Sequence, residues 1–184
     1  MADLDAAARA IESFLAALGH PVDADPERAG TPMRVAEAFH ADLLAGYREN
    51  PATILAETCA SDARGLVVLT GIHTTAVCPH HLLPATGVSH VAYLPRERLV
   101  GLGALARLVD CFARRLVLQE DLAQHVADAL VEHLDARAAG CVVDLAPTCM
   151  IARGERQVGA RAIATAFAGE RDADLRRALL EHTR

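Results

Sequence analysis

Lysine is absent: all 18 basic residues are arginine, so every permanently cationic side chain is a guanidinium. Tryptophan is absent too, and aromatics make up 3% of the chain, which leaves Leu, Val, Ile and Ala to build the core. Acidic residues outnumber basic ones by 24 to 18, giving a net charge of −6 and a pI near 5.8. That balance excludes a general nucleic-acid binder, which presents a basic face. No run of 18 apolar residues occurs, so no membrane-spanning helix is expected. Met1 to Ala10 is acidic and alanine-rich and lacks the basic start and apolar stretch of a secretory leader, so the expectation is a cytoplasmic protein. The five cysteines, at 59, 78, 111, 141 and 149, are odd in number and scattered, which excludes a simple disulfide framework.

What is present is a chain of 184 residues, 52% hydrophobic and 23% charged, the size and balance of one soluble domain with a sizeable core. Leu4, Ala8, Ile11, Leu15 and Leu18 form one helical stripe over residues 3–18. A second helix is expected from Thr31 to about Ala45, with Thr31 as N-cap and Pro32 at its first position. Asn50-Pro51 breaks the pattern, and residues 50–64 are the nearest thing to a linker, polar and small but still containing Ile54 and Leu55. From Gly65 the period changes: residues 65–77 and 86–94 are rich in β-branched side chains and read as strands. Helices follow over 101–116 and 120–134, then strands over 140–150 and 159–168 and a helix over 172–181. Strands joined by short loops predict an α+β fold, a four-stranded antiparallel sheet with both central helices on one face. The other face would need cover, which points to oligomerisation. The organisation expected is an N-terminal helical region (1–50), a catalytic domain (65–170) and a C-terminal helix (171–184).

The strongest chemical signal is Cys78-Pro79-His80-His81. Cys78 and His81 stand three apart at a strand end, where a turn can bring a thiolate and an imidazole onto one ion. Zinc takes such ligands, and a catalytic zinc keeps three protein ligands and one open position. On spacing alone, a metal pair and a chance cluster in a loop stand equal. The best candidate for a third ligand is Cys149, at the end of the third strand. Cys111 and Cys141 lie within apolar runs and read as buried structural thiols. His73, His90, His125 and His133 occur singly and read as surface or core residues rather than ligands.

The run Cys78-Pro79-His80-His81-Leu82-Leu83-Pro84, followed by Gly87-Val88-Ser89-His90-Val91-Ala92-Tyr93-Leu94-Pro95, resembles the zinc-and-histidine segment of the GTP cyclohydrolase I family. Further matching clusters follow in order: Val100-Gly101-Leu102, Ala106-Arg107-Leu108-Val109, Phe112-Ala113-Arg114-Arg115, Leu118-Gln119-Glu120, then Cys149-Met150 with Arg153-Gly154. Thr31-Pro32-Met33-Arg34-Val35-Ala36 resembles the family's upstream helix, so the likeness runs over about residues 30–168. It implies the tunnelling fold, a ring-shaped homo-oligomer, typically a decamer, and active sites between subunits. It implies zinc on Cys78, His81 and Cys149, proton transfer by His80, and guanine recognition by Glu120 with Gln119 beside it. Arg107 and Arg153 match triphosphate-binding arginines. The implied reaction opens the imidazole ring of GTP at C8, releases formate and recloses the rearranged ribose as 7,8-dihydroneopterin triphosphate, a pterin on the route to tetrahydrofolate.

Four departures accompany the likeness. Pro79 stands where the family usually has Glu, and Pro147 where it has a second active-site histidine. Gly103-Ala104 replaces Ser-Lys, and Glu37 replaces a phosphate-binding lysine. Two positive contacts are thereby removed, so the triphosphate preference and the later chemical steps are the parts of the reaction most exposed to change. The alternatives are a paralogue that acts on a related purine nucleotide or stops at a formamidopyrimidine, and a non-catalytic homologue that keeps zinc for structure.

Overall fold

A computed structural model describes residues 2–181, and the chain divides after Ala45 into two compact units. The first is helical. Helix α1 (Leu4–Ala17) opens on Asp3, whose carboxylate accepts a hydrogen bond from the Ala6 N–H at 2.9 Å, satisfying one of the free amides of the first turn. It packs against α2 (Thr31–Glu37). The start of α2 differs from expectation by one residue. Gly30 is the N-cap, Thr31 and Pro32 are the first two helical positions, and the Thr31 hydroxyl accepts from Arg34 Nη2 at 3.0 Å. Pro32 costs no bond at either position, because the first four helical amides have no intrahelical acceptor. Nor does a single α-helix run on to Ala45: Ala38–Leu43 is π-helical, a local widening that an apolar periodicity cannot reveal.

The second unit contains, in chain order, the 3-10 turn Ala45–Arg48, α3 (Pro51–Ile54), β1 (Thr58–Ala60), β2 (Val67–Val77), β3 (Pro84–Leu94), β4 (Arg98–Val100), α4 (Leu102–Ala113), α5 (Gln119–Leu134), β5 (Ala138–Pro147), α6 (Thr148–Ile151), β6 (Ala162–Gly169) and α7 (Ala173–Glu181). The main sheet is antiparallel throughout, ordered β2-β3-β5-β6. With α4 and α5 between its second and third strands, it has the strand–strand–helix–helix–strand–strand order of the tunnelling fold. Residues 50–64 are not a plain linker. They hold α3, capped by Asn50, and β1, which pairs with β4 as a separate two-stranded sheet. Both strands are three residues long, too short for a period of two to register.

Alternation along the strands sorts the two faces. Ala85, Ser89, Val91 and Tyr93 of β3 are buried, as are Ala139, Cys141, Val143 and Leu145 of β5; all but Ser89 share one apolar cluster with Leu105 and Leu108 of α4 and Leu122, Val126 and Leu130 of α5. Burying each leucine contributes about 1.5–3 kcal/mol. The second face is partly covered: Leu175 and Leu179 of α7 pack on Ala92, Ala138 and Val142. Beyond α7 the register row His73, Val88, Asp144 and Ile163 crosses all four strands, and His73 and Ile163 are exposed. Strand β2 carries a bulge between Leu69 and Ile72, where Gly71 takes φ +70°, a backbone state glycine adopts without a Cβ penalty. Among the described residues, no helix is long and apolar enough to cross a membrane.

Candidate metal centre

Strand β2 stops at Val77, and residues 78–83 turn the chain into β3. The Cys78 N–H donates to the Leu83 carbonyl at 3.0 Å, and the Leu82 N–H to the Cys78 carbonyl at 2.9 Å. Closing this turn puts Leu82 at φ +55°, a left-handed state uncommon for a side chain with a Cβ. Backbone strain of this kind tends to persist where the surroundings enforce it, often at functional positions. The third expected ligand arrives differently from the sequence expectation. Strand β5 does not run to Met150. It ends at Pro147, and Cys149 sits in the single helical turn α6. Pro147 still pairs in register with Ala85, but proline has no N–H with which to carry a ladder on. The Thr148 hydroxyl then donates to the Pro84 carbonyl, fastening α6 beside the start of β3.

These two devices bring Cys78, His81 and Cys149 together, with their ligand atoms all within 4.8 Å of one another. Cys78 Sγ lies 3.9 Å from His81 Nδ1. Two donors of this kind on a tetrahedral zinc, at bond lengths near 2.3 and 2.1 Å, would stand about 3.6 Å apart. The donor set and its spacing therefore fit a zinc-like ion. Both thiols are half-buried and the imidazole is exposed, which leaves an open side toward solvent.

Other residues picked out by sequence fall around this centre or away from it. His80 is exposed next to His81, its ring centroid 6.3 Å away and nearly perpendicular. Arg153 follows α6, and its Nη1 lies 2.9 Å from His81 Nε2. The loop between α4 and α5 runs beside the end of β2: Leu116 bridges Val77, and the Val117 N–H donates to the Val77 carbonyl at 3.3 Å. That contact sets the first turn of α5, with exposed Glu120, next to the strand end that delivers Cys78. Gln119 Nε2 donates to the Ala162 carbonyl at 2.5 Å and ties α5 to β6. Arg107 is not gathered in. It lines a groove of about 540 Å³ between α4 and the bulge of β2, with His73, Asp110 and Arg114. Sequence reasoning missed Thr148 and Leu82, because neither type signals metal binding; only the closing bonds of the two turns expose their roles.

The remaining cysteines are distinct. Cys111 and Cys141 are buried and Cys59 is exposed. Burial pushes the Cys141 thiol from the ordinary 9.0 up to about 12. The Cys111 thiol is also raised by burial, against the pull of the Arg115 guanidinium, whose Nη2 is 3.2 Å from Cys111 Sγ. Neither is a candidate ligand.

Fold and centre together define an α+β protein of the tunnelling class with a Cys-His-Cys group that could hold a metal ion. The GTP cyclohydrolase I family model matches residues 7–184. GTP cyclohydrolase 1 of Chromobacterium violaceum is 40% identical over 173 residues, 92% of this chain and 83% of that protein. GTP cyclohydrolase 1 of Corynebacterium glutamicum (strain ATCC 13032) is 41% identical over 172 residues, 91% of this chain and 85% of the relative. Among solved structures, the archaeosine synthase QueF-Like in the apo form has 19% identity and a TM-score of 0.49, and spans 60% of this chain and 100% of its own. The chain belongs to the GTP cyclohydrolase I family.

Proposed function

We propose that the chain hydrolyses GTP to 7,8-dihydroneopterin triphosphate and formate, using zinc held by Cys78, His81 and Cys149. The supporting observation is the convergence of two thiols and an imidazole within 4.8 Å, open on one side, in a chain of this family. A zinc ion there supplies Lewis acidity for hydrolysis at the purine C8. His80, exposed beside the centre, gives and takes protons at the opening imidazole ring, a role open to a positioned imidazole. Glu120 accepts hydrogen bonds from the guanine N1–H and amino group, and a purine edge that presents acceptors leaves that carboxylate unpaired. Gln119 anchors the turn that carries Glu120. Arg153 and Arg107 bind phosphate oxygens through their forked donors. Arg107 lies in a separate groove of the chain, which favours a homo-oligomer, a decamer, whose neighbouring copies complete each site. The reading places the protein in the cytoplasm, in pterin and tetrahydrofolate biosynthesis, with no nucleic-acid or membrane partner. The test is incubation of zinc-loaded protein with GTP or ATP, with formate and pterin fluorescence assayed separately. Both products should form from GTP. Equal turnover of ATP would refute the role of Glu120.

A second reading, a paralogue whose reaction is cut short or whose nucleotide differs, is favoured by specific positions. Pro147 cannot transfer a proton. Ala104 is buried at 5% exposure, and Gly103 carries no side chain to reach a phosphate. Losing one general acid–base group slows a step by about 10²–10⁴. Under this reading formate release outpaces pterin formation, a formamidopyrimidine accumulates, and GMP competes well with GTP. A Pro147→His variant should then restore pterin formation; equal rates of both products in the unaltered protein would dismiss this reading.

A further inference from the structure

The two sides of the candidate metal centre are held by different means. Cys78 and His81 stand on a turn closed by backbone: the Cys78 N–H donates to the Leu83 carbonyl at 3.0 Å and the Leu82 N–H to the Cys78 carbonyl at 2.9 Å. Cys149 stands on α6, a single turn of four residues. Its backbone bonds are local. The Ala152 N–H donates to the Thr148 carbonyl at 2.8 Å and the Gln157 N–H to the Met150 carbonyl at 3.0 Å, and both move with α6. Among the described residues, the hydrogen bond that joins α6 to the sheet runs from the Thr148 hydroxyl to the Pro84 carbonyl.

The register explains why a side chain serves here. Ala85 pairs with Pro147 in the antiparallel ladder of β3 and β5, so the next step sets Thr148 opposite Pro84. The Leu83 carbonyl faces β2, where it accepts from Cys78; the carbonyl of Pro84, next along the strand, faces β5. Proline at 84 has no N–H to give to the Thr148 carbonyl. That carbonyl is released to Ala152 and starts a helical turn, while the hydroxyl takes the ladder place that a backbone N–H would have filled. The chain thus leaves the sheet at Thr148 and keeps one tie to it. Pro84 is also where the turn of Cys78 and His81 ends, so the tie sets Cys149 directly against its two partners.

We propose that Thr148 is a positioning residue for the metal: its hydroxyl, on the Pro84 carbonyl, holds Cys149 Sγ within bonding range of an ion bound by Cys78 and His81. The proposal rests on the zinc reading above and adds to it the residue that fixes the third ligand. Ligand distances in a metal site are kept to about 0.2 Å, so a small displacement of α6 is enough to lose the Cys149 bond. Contacts that orient ligands from behind typically carry about 10–100-fold in metal affinity. With the hydroxyl gone, α6 keeps only its chain connections, and Cys78 and His81 remain as a pair.

The test compares Thr148→Val, which keeps the branched shape and removes the donor, with Thr148→Ser, which keeps the donor. Thr148→Ala is a second donorless variant should the valine protein fail to fold. Zinc affinity is measured by competition with a chromophoric chelator. Ligation is read from the thiolate-to-metal charge-transfer bands of the cobalt(II) form, with Cys149→Ala as the one-thiolate reference. Thr148→Val should bind zinc about 10–100-fold more weakly than the unaltered protein, and its cobalt bands should fall toward those of Cys149→Ala. Thr148→Ser should restore both. Unchanged affinity and bands in Thr148→Val, or an equal loss in Thr148→Ser, overturns the proposal. So does weaker binding with both thiolates still present in the cobalt spectrum. The Cys149→Ala variant separates this from the ligand assignment. If Cys149→Ala keeps its zinc, the ligand set is wrong and the proposal falls with it; if it loses zinc while Thr148→Val holds zinc as before, the positioning alone is wrong.

Discussion

Five thiols differ in what surrounds them, and that difference is measurable. Cys59 is exposed, Cys78 and Cys149 are half-buried at the candidate metal centre, and Cys111 and Cys141 are buried. Reaction with an aromatic disulfide needs an accessible thiolate. In metal-free native protein, three thiols should react quickly, those of Cys59, Cys78 and Cys149. Adding zinc should protect two of them and leave Cys59, and continued fast reaction of Cys78 or Cys149 in stoichiometric zinc would contradict the ligand assignment. Cys141 answers to pH instead. Its thiol, raised from 9.0 to about 12 by burial, keeps its proton in the folded chain over a range where the unfolded chain has lost it. The unfolded state then binds fewer protons than the folded one, so this group makes stability fall as pH rises between those two values and has no effect below them. Cys141→Ala should lower stability at pH 7 through the cavity it leaves yet flatten the alkaline loss. Urea midpoints at pH 7 and pH 10 would show the two variants drawing closer at the higher pH; a constant gap would mean that the thiol does not ionise on unfolding.

Elements hold the centre in place through contacts that a sequence reading reaches only in part. Arg115, at the end of α4, donates from Nε to the Cys111 and Gly46 carbonyls at 2.8 and 3.2 Å. Its guanidinium also lies over the rings of Phe112 and Tyr47, 5.0 and 5.7 Å from their centroids. Gly46 fits beneath it because a Cβ there would strike the Cys111 carbonyl. The segment just after Arg115 bridges the end of β2, so this clamp supports the loop beside Cys78. Arg115→Met should therefore lower stability by about 1–3 kcal/mol, leaving buried carbonyls without their donor, and shift the urea midpoint with little change in slope. Arg115→Lys should recover only part, since one ammonium cannot reproduce the fork; full recovery would show that charge alone matters. The long elements were legible because period and burial agree in them: Leu105, Leu108 and Phe112 recur at helical steps, and Val91 and Tyr93 alternate. At the candidate centre, the spacing of Cys78 and His81 left a metal pair and a chance cluster equally open, and Cys149 stood out by its expected place at the end of the third strand; the fold brings the three within 4.8 Å of one another. Elements set by tertiary pairing were not legible. Strands β1 and β4 exist because each pairs with the other, and α6 exists because Pro147 halts a ladder and Thr148 finds the Pro84 carbonyl. No local pattern encodes either.

At the scale of the whole molecule, the question is whether one chain can hold a complete site. The candidate metal centre lies beyond residue 77, at the end of β2, whereas Arg107 lines a groove against residues 69–73 earlier on that strand. The groove combines Arg107 and Arg114 with the exposed, apolar Leu102. Strands β2 and β6 are the open edges of the main sheet, and unpaired edges are where further copies can add. If copies assemble so that the Arg107 groove of one completes the metal centre of another, two inactive variants can repair each other. On the proposed function, Cys149→Ala removes a ligand and Arg107→Met a phosphate contact, and each alone should be nearly inactive. When the two are mixed one to one, dissociated and reassembled, about one site in four should receive an intact metal centre from one chain and an intact arginine from its neighbour, as random placement in a closed ring predicts. Activity should therefore rise to about a quarter of the unaltered value. A site contained within a single chain recovers nothing on mixing, and that result, obtained with the reassembled oligomer confirmed by sedimentation, would place Arg107 and the metal on one subunit.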